Sequence, residues 1–234
     1  MAYDVSGLVD EVQAVTGRTA SGEPLVDSTR IIRWFNEGQV KVVQKCVNLH
    51  SLSFKNTTSL DTTQSLKYAI SDITVGDNSD AERVNRIWGV SYLDGNNSEE
   101  LDFMFTDDFD ADYPDPTHSD IAVDKPTHWT RRGNNIEIFP LCACAYCDKD
   151  LRFEGDFFPH ELSNTDNTYS DISGGDEGLI MYAVWKAWGA IGGQKATLEE
   201  IKWKKKWEDW LDDFQGLNDE LHEWDGKLHN EILI

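Results

Sequence analysis

The stretch that most constrains what this chain can fold into is Asp27 to Leu49, DSTRIIRWFNEGQVKVVQKCVNL. At about 100° per residue, Ile31, Ile32, Phe35, Val42, Val43, Cys46 and Leu49 fall within about a third of the circle, the period of an amphipathic helix. Asp27 or Ser28 is placed to cap its first turn, because a short oxygen-bearing side chain satisfies amides that have no partner inside the helix. The opposite face carries Arg30, Arg33, Glu37, Lys41, Gln44, Lys45 and Asn48, four cations to one carboxylate, with Trp34 on the same polar side. A tryptophan there is either covered by a neighbouring loop or an anchor for another protein. The chain as a whole holds 43 Asp and Glu against 21 Lys and Arg, a formal charge of −22, so a basic stripe asks for an acidic partner.

The same balance excludes a sequence-independent nucleic-acid binder held by phosphate neutralisation, since the overall field repels DNA. With 234 residues, 39% of them hydrophobic, and nine Trp, the chain is expected to be globular. No apolar run reaches the roughly 18 residues of a membrane span, and Met1 is followed by AYDVSG rather than a basic and then apolar leader. A protein that starts in the cytosol, without membrane association, is the expectation. Three of four cysteines crowd into Cys142, Cys144 and Cys147 while Cys46 sits in the helix, which does not resemble a disulfide framework. The thiols are therefore expected to be reduced.

Residues 4–17 read as a short helix, with Leu8, Val12 and Val15 on one side and Gly17 as a stop. After His50 the texture becomes β. Runs at 51–54, 66–70, 83–93 and 151–157 alternate or carry β-branched and aromatic residues, with a turn at Asp94-Gly95-Asn96-Asn97, and a further β segment, 128–140, holds the hairpin turn Gly133-Asn134-Asn135 that feeds the strand 136–139. The last of these runs is expected to partner 136–139. Residues 107–124 hold seven Asp and two Pro and read as an exposed acidic loop that opens on a helical turn before Pro114. Helix returns at 177–191, almost wholly apolar with Lys186 the sole charge after Glu177, and so expected to be buried. A further helix over 195–215 places Trp203, Trp207, Trp210, Leu211 and Phe214 on one side, and a tail follows Gly216. Helices, then strands, then helices predict an α+β fold: 1–50 and 176–215 form one helical bundle, 51–175 an inserted antiparallel β domain, and 216–234 a C-terminal tail.

Chemistry is sought and little is found. Asp108, Asp110 and Asp112 open like a calcium loop, but Tyr113 stands where the sharp turn needs Gly and Ser119 where a bidentate Glu is needed. Cys142, Cys144 and Cys147, with His118, His128 or His160 as a fourth ligand, have the donors for zinc but lack the second pair that defines a zinc ribbon. A Cys-rich hairpin turn is the simpler reading. Residues 189–195 are Gly-rich and end in Lys195, yet they close a helix rather than join strand to helix, and Ala196 follows where Ser or Thr would hold magnesium. No serine-hydrolase elbow or paired-His zinc motif occurs, so neither an enzyme nor a cofactor is expected. The apolar residues Leu228, Ile232, Leu233 and Ile234 are either a frayed end or a segment that docks into a partner's groove.

Taken in order, several pieces resemble one family. They are Ile31-Ile32-Arg33-Trp34-Phe35-Asn36-Glu37-Gly38-Gln39, then Arg83-Val-Asn-Arg-Ile-Trp-Gly-Val90, then Lys125-Pro-Thr-His-Trp-Thr-Arg-Arg-Gly-Asn-Asn-Ile-Glu-Ile-Phe-Pro140, then Leu151-Arg-Phe-Glu-Gly-Asp-Phe157 and the closing apolar helix. Together they resemble the head-to-tail connector or adaptor proteins of tailed bacteriophages, over roughly 27–191. The departure is at 141–148, where the family has a Pro-Asp type of turn and this chain has its cysteines. The resemblance implies a structural virion protein of the neck, assembled in the host cytoplasm: a ring of twelve copies docked on the portal. It joins tail or nozzle proteins and passes double-stranded DNA without specific binding. An acidic lumen suits such a conduit, because it does not grip phosphates. The stripe Arg30, Arg33, Trp34, Lys41 and Lys45 is then expected to face an acidic patch of the next subunit or the portal, and 228–234 to dock into the portal. The alternatives are another neck or tail part, or a zinc-binding module built on the cysteine cluster.

Overall fold

The computed structural model describes residues 4–18, 26–46, 49, 52–59, 67–70, 73, 84–113, 124–141, 146, 149–163 and 169–231. The fold is α+β, as the order of patterns predicts, with five helices and two sheets among the described residues. It divides into a helical unit, Met1–Leu52 with Phe158–Ile234, and a β unit, Ser53–Phe157. The β domain thus interrupts the helical one, but its far boundary lies at 157 rather than 175. Residues 158–163 and 169–175 belong to the helices, for a reason given below.

In the helical unit, α1 (Val5–Thr16) and α2 (Ser28–Lys45) each start on an aspartate. The Asp4 carboxylate accepts from the Gly7 amide and that of Asp27 from the Arg30 amide, both at 2.8 Å. Gly17 ends α1 in the left-handed conformation, φ 66°, where its amide and that of Arg18 reach back to Ala14 and Gln13. Their core gathers Val5, Leu8 and Val12 of α1, Ile31, Ile32 and Phe35 of α2, and Leu179, Ala183 and Val184 of α4 (Asp176–Ile191). Helix α5 (Gln194–Glu231) packs chiefly on α4. The Trp stripe does what its spacing predicts. Trp207 meets Tyr182 edge-on at 5.1 Å, stacks on Trp210 at 5.4 Å, and Trp210 stacks on Phe214 at 4.7 Å. Gly178 leaves room for the Trp210 indole, since a Cβ at 178 would lie 2.2 Å from it.

One expectation for this region needs correction. Helix α5 does not stop at Gly216; its backbone stays helical to Glu231, so most of the expected tail is a continuation of α5. One exposed glycine costs a helix only about 1 kcal/mol, less than the hydrophobic and acidic residues on either side restore. In the β unit, the helical turn expected before Pro114 is the seven-residue helix α3 (Thr106–Asp112), with Asp107 and Asp108 in its first turn where the helix dipole favours them and Phe109 buried.

The β unit holds β1 (Ser53–Ser59), β2 (Lys67–Ala69), β3 (Val84–Asp94), β4 (Asn97–Glu100), β5 (Asp102–Phe103), β6 (His128–Arg132), β7 (Asn135–Phe139) and β8 (Asp150–Phe157). They form two four-stranded sheets, β1-β8-β3-β4 and β2-β7-β6-β5, antiparallel except for the β5–β6 pair. Gly133-Asn134 makes the predicted hairpin, and the turn predicted at 94–97 proves to close a second one at Gly95-Asn96, with φ of 61° and 63° at the glycines. Strand β8 does not partner β7. It lies between β1 and β3, with Phe153 opposite both Asn56 and Val90, while β7 pairs with β6 and β2. Local alternation marks a strand but not its neighbour. One core takes Phe54, Val90, Tyr92, Leu151 and Phe153 from the first sheet and Tyr68, Trp129, Ile136 and Ile138 from the second.

Candidate functional site

Helix α2 carries the most specific chemistry of the helical unit. Its apolar side is spent on the core. On the flank, Gly38 lets α4 come close: a Cβ there would stand 3.1 Å from Leu179 and 3.2 Å from Tyr182. Asn36 grips the backbone of Leu162 with both ends of its amide. Its Nδ2 donates to the Leu162 carbonyl at 3.1 Å, and its Oδ1 accepts from the Leu162 amide at 2.9 Å. Gln39, 2% exposed, donates to the His160 carbonyl at 3.2 Å and accepts from the Ser170 hydroxyl at 2.8 Å. Asp171 holds His160 through both its amide and its ring Nδ1, each at 2.8 Å. Segment 158–163 is therefore fastened to α2 as it leaves β8, which is why it belongs to the helical unit. In the motif Asn36-Glu37-Gly38-Gln39, Asn36 and Gln39 do this work, and Gly38 seats α4 against α2.

The fourth, Glu37, faces outward into a groove of about 710 Å³ whose lining includes Arg33, Val40, Lys41, Tyr182 and Lys186. Arg33 Nε lies 3.1 Å from one Glu37 oxygen and Lys186 Nζ 3.8 Å from the other. Lys186 also lies 5.4 Å over the ring of Tyr182, a cation–π contact that seats an ammonium at the end of an apolar helix face. Burial, and then the Glu37 charge, push the Tyr182 phenol up to about 12, so it stays a neutral donor at any physiological pH. Val40 is 42% exposed and supplies apolar surface beside these charges. Arg33, Lys41 and Lys186 outnumber Glu37 and Glu161 around the groove, and Arg30 lies exposed almost one turn before Arg33. The surface is amphipathic and locally positive in a chain of charge −22. Such a groove accepts an acidic segment with apolar residues of its own.

The predicted interface residues divide accordingly. Arg33 and Lys41 line the groove and Arg30 flanks it. Lys45 instead reaches Asp212 of α5 at 3.4 Å, and Trp34 is half-buried against the helical core rather than covered by a loop. Leu228 lies within the span of α5, and Ile232, Leu233 and Ile234 lie outside the described residues. Cys142, Cys144 and Cys147 also lie outside them, as does His118. Among the described residues, no group of three His, Cys, Asp or Glu side chains is arranged to hold a metal. Asp108, Asp110 and Asp112 sit on α3, where alternate positions point to different sides of a helix, and Asp110 binds Arg132. Cys46 is buried, and burial, with Asp219 nearby, pushes its thiol up to about 11, so it is a packing residue and not a nucleophile. Sequence reasoning missed Tyr182 and Lys186 as partners of α2 because they come from a helix about 140 residues away. The available signal was Lys186 itself, a lone charge in an apolar helix.

Among the described residues no helix is long and apolar enough to cross a membrane. No protein-family model matches this chain, and no curated protein matches it.

Proposed function

We propose that this chain is a structural virion protein, the head-to-tail adaptor of a tailed bacteriophage: a ring of twelve copies that docks under the portal, receives the tail or nozzle and conducts double-stranded DNA. The observation that carries this reading is the part played by Asn36-Glu37-Gly38-Gln39. These residues stand in the order of pieces that resembles the adaptor family, and two of them, Asn36 and Gln39, tie the return of the chain from the inserted β unit to α2 while Gly38 seats α4 against it. A motif that fastens an insertion into a helical unit is what a shared architecture needs. The charge supports the same reading, because a subunit of net charge −22 offers a polyanion little counterion-release affinity. The groove of α2 supports it as well, since a ring needs two unlike surfaces on each subunit.

The test is co-expression with the portal protein encoded beside it, followed by size-exclusion chromatography and negative-stain microscopy. The adaptor reading expects co-elution and an added ring of density on the portal's narrow end. A chain that elutes apart from the portal overturns it.

A further inference from the structure

Away from its tryptophans, helix α5 turns a second stripe to solvent. Lys195, Leu198, Lys202, Lys205, Asp209, Asp212, Gly216 and Asp219 follow one another at alternating spacings of three and four, which keeps them on one side of the helix, and every one of them is exposed. Leu198 is 66% exposed and its neighbour Ile201 62%, so two large apolar side chains lie uncovered among the charges. The order of the charges is the informative part. The lysines of the stripe all precede residue 207 and the aspartates all follow it, at mirrored positions: Lys205 and Asp209 stand two residues to either side, Lys202 and Asp212 five, and Lys195 and Asp219 twelve. Leu198 and Gly216 are the remaining mirrored pair, a large side chain set against none.

A stripe that is its own complement when reversed fits a second copy of itself run antiparallel. We propose that two copies of this chain pair through α5 about a two-fold axis level with Trp207. Lys205, Lys202 and Lys195 of each copy face Asp209, Asp212 and Asp219 of the other, and each Leu198 sits over the other copy's Gly216. The paired stretch, 195 to 219, is about 36 Å of helix. Gly216 fits this role because its own chain gives it no other: a Cβ there would meet nothing within 4 Å, yet glycine inside a helix weakens it. Lys202 already meets Glu199 at 3.1 Å and Asp212 meets Lys45 at 3.4 Å, but these are surface pairs, which exchange at little cost. Two chains of charge −22 repel over most of any contact, so opposite signs along this one stripe also fix where they meet. The contact uses the same face of both copies and ends at two. It is therefore not the contact between neighbours in a ring, which needs two unlike faces, and it stands whether or not the adaptor reading does.

Sedimentation velocity of the full chain without portal, from micromolar to about 0.5 mM, should show a monomer–dimer equilibrium. K202E/K205E and D209K/D212K should each weaken the dimer by at least about 30-fold, because like charges then face each other, and an equimolar mixture of the two should return to within about threefold as mixed dimers, since every reversed half then meets an opposite one. G216Q, which has room in its own chain, should weaken the dimer about tenfold with every charge in place, by lifting Leu198 away from the facing helix. Unchanged circular dichroism shows that the variants fold. A chain that stays monomeric at the highest concentration, a dimer that K202E/K205E leaves intact, or a mixture that stays monomeric overturns the inference. A dimer with these properties in a chain that ignores the portal supports the pairing and removes the adaptor reading, and portal binding by a chain that never dimerises does the reverse.

Discussion

Asn36 and Asp156 show how much single side chains decide here. Asn36 satisfies both backbone groups of Leu162, so truncating it strands a donor and an acceptor in a part-buried place. Asn36→Ala should cost about 1–3 kcal/mol by denaturant unfolding and expose 158–163 to proteolysis first. Asp156 is 3% exposed on β8, and its Oδ1 has no hydrogen-bond partner among the described residues. Burial, only partly offset by Arg86, raises its carboxyl from 3.8 to about 6. The folded chain holds this proton more tightly than the unfolded chain, so ionisation removes stability as pH rises from about 4 through about 6 and the loss is complete above. Asp156→Asn should thus stabilise the protein by about 1–3 kcal/mol at pH 8 and change little near pH 4, read from unfolding midpoints at the two pH values. None of this was visible in the sequence. Asn36 was legible as part of a motif, but its partner lies 126 residues away, and nothing near Asp156 in the chain marks it as buried.

Among the elements, those with a strong period were legible and those defined by their partners were not. Helices α1, α2 and α4 were predicted to within a few residues, because each has an apolar stripe and a capping or glycine signal at its ends. Strands β4 and β5 were missed: Asn97–Glu100 is wholly exposed and polar, and Asp102–Phe103 is two residues long, so neither carries alternation. The assignment of β8 to the other sheet is likewise a matter of pairing, not of local pattern. Packing of α5 on α4 depends on Gly178, whose missing Cβ makes space for a stacked Trp210. Alanine is worth about 1 kcal/mol more than glycine inside a helix, but here the rigid indole must move. Gly178→Ala should lose about 1–3 kcal/mol net and shift tryptophan fluorescence to the red, whereas unchanged emission would contradict the packing described.

For the whole molecule, the succession of patterns announced a helical unit interrupted by a β unit, and that is the architecture. The candidate site was half legible. Its α2 half was read directly from the helical wheel. Its α4 half, Tyr182 and Lys186, required the fold, as did the loss of Trp34 to the core and of Lys45 to Asp212. Under the proposed reading these parts are joined by assembly: an acidic chain with a locally basic groove on α2 is coherent for a subunit whose surfaces meet other subunits. The central claim is that those subunits form a ring on a portal. Electron microscopy of the chain purified together with its portal tests this most directly. The account predicts a ring of twelve subunits stacked coaxially on the portal with an open channel, and a portal left bare beside monomeric chain would contradict it.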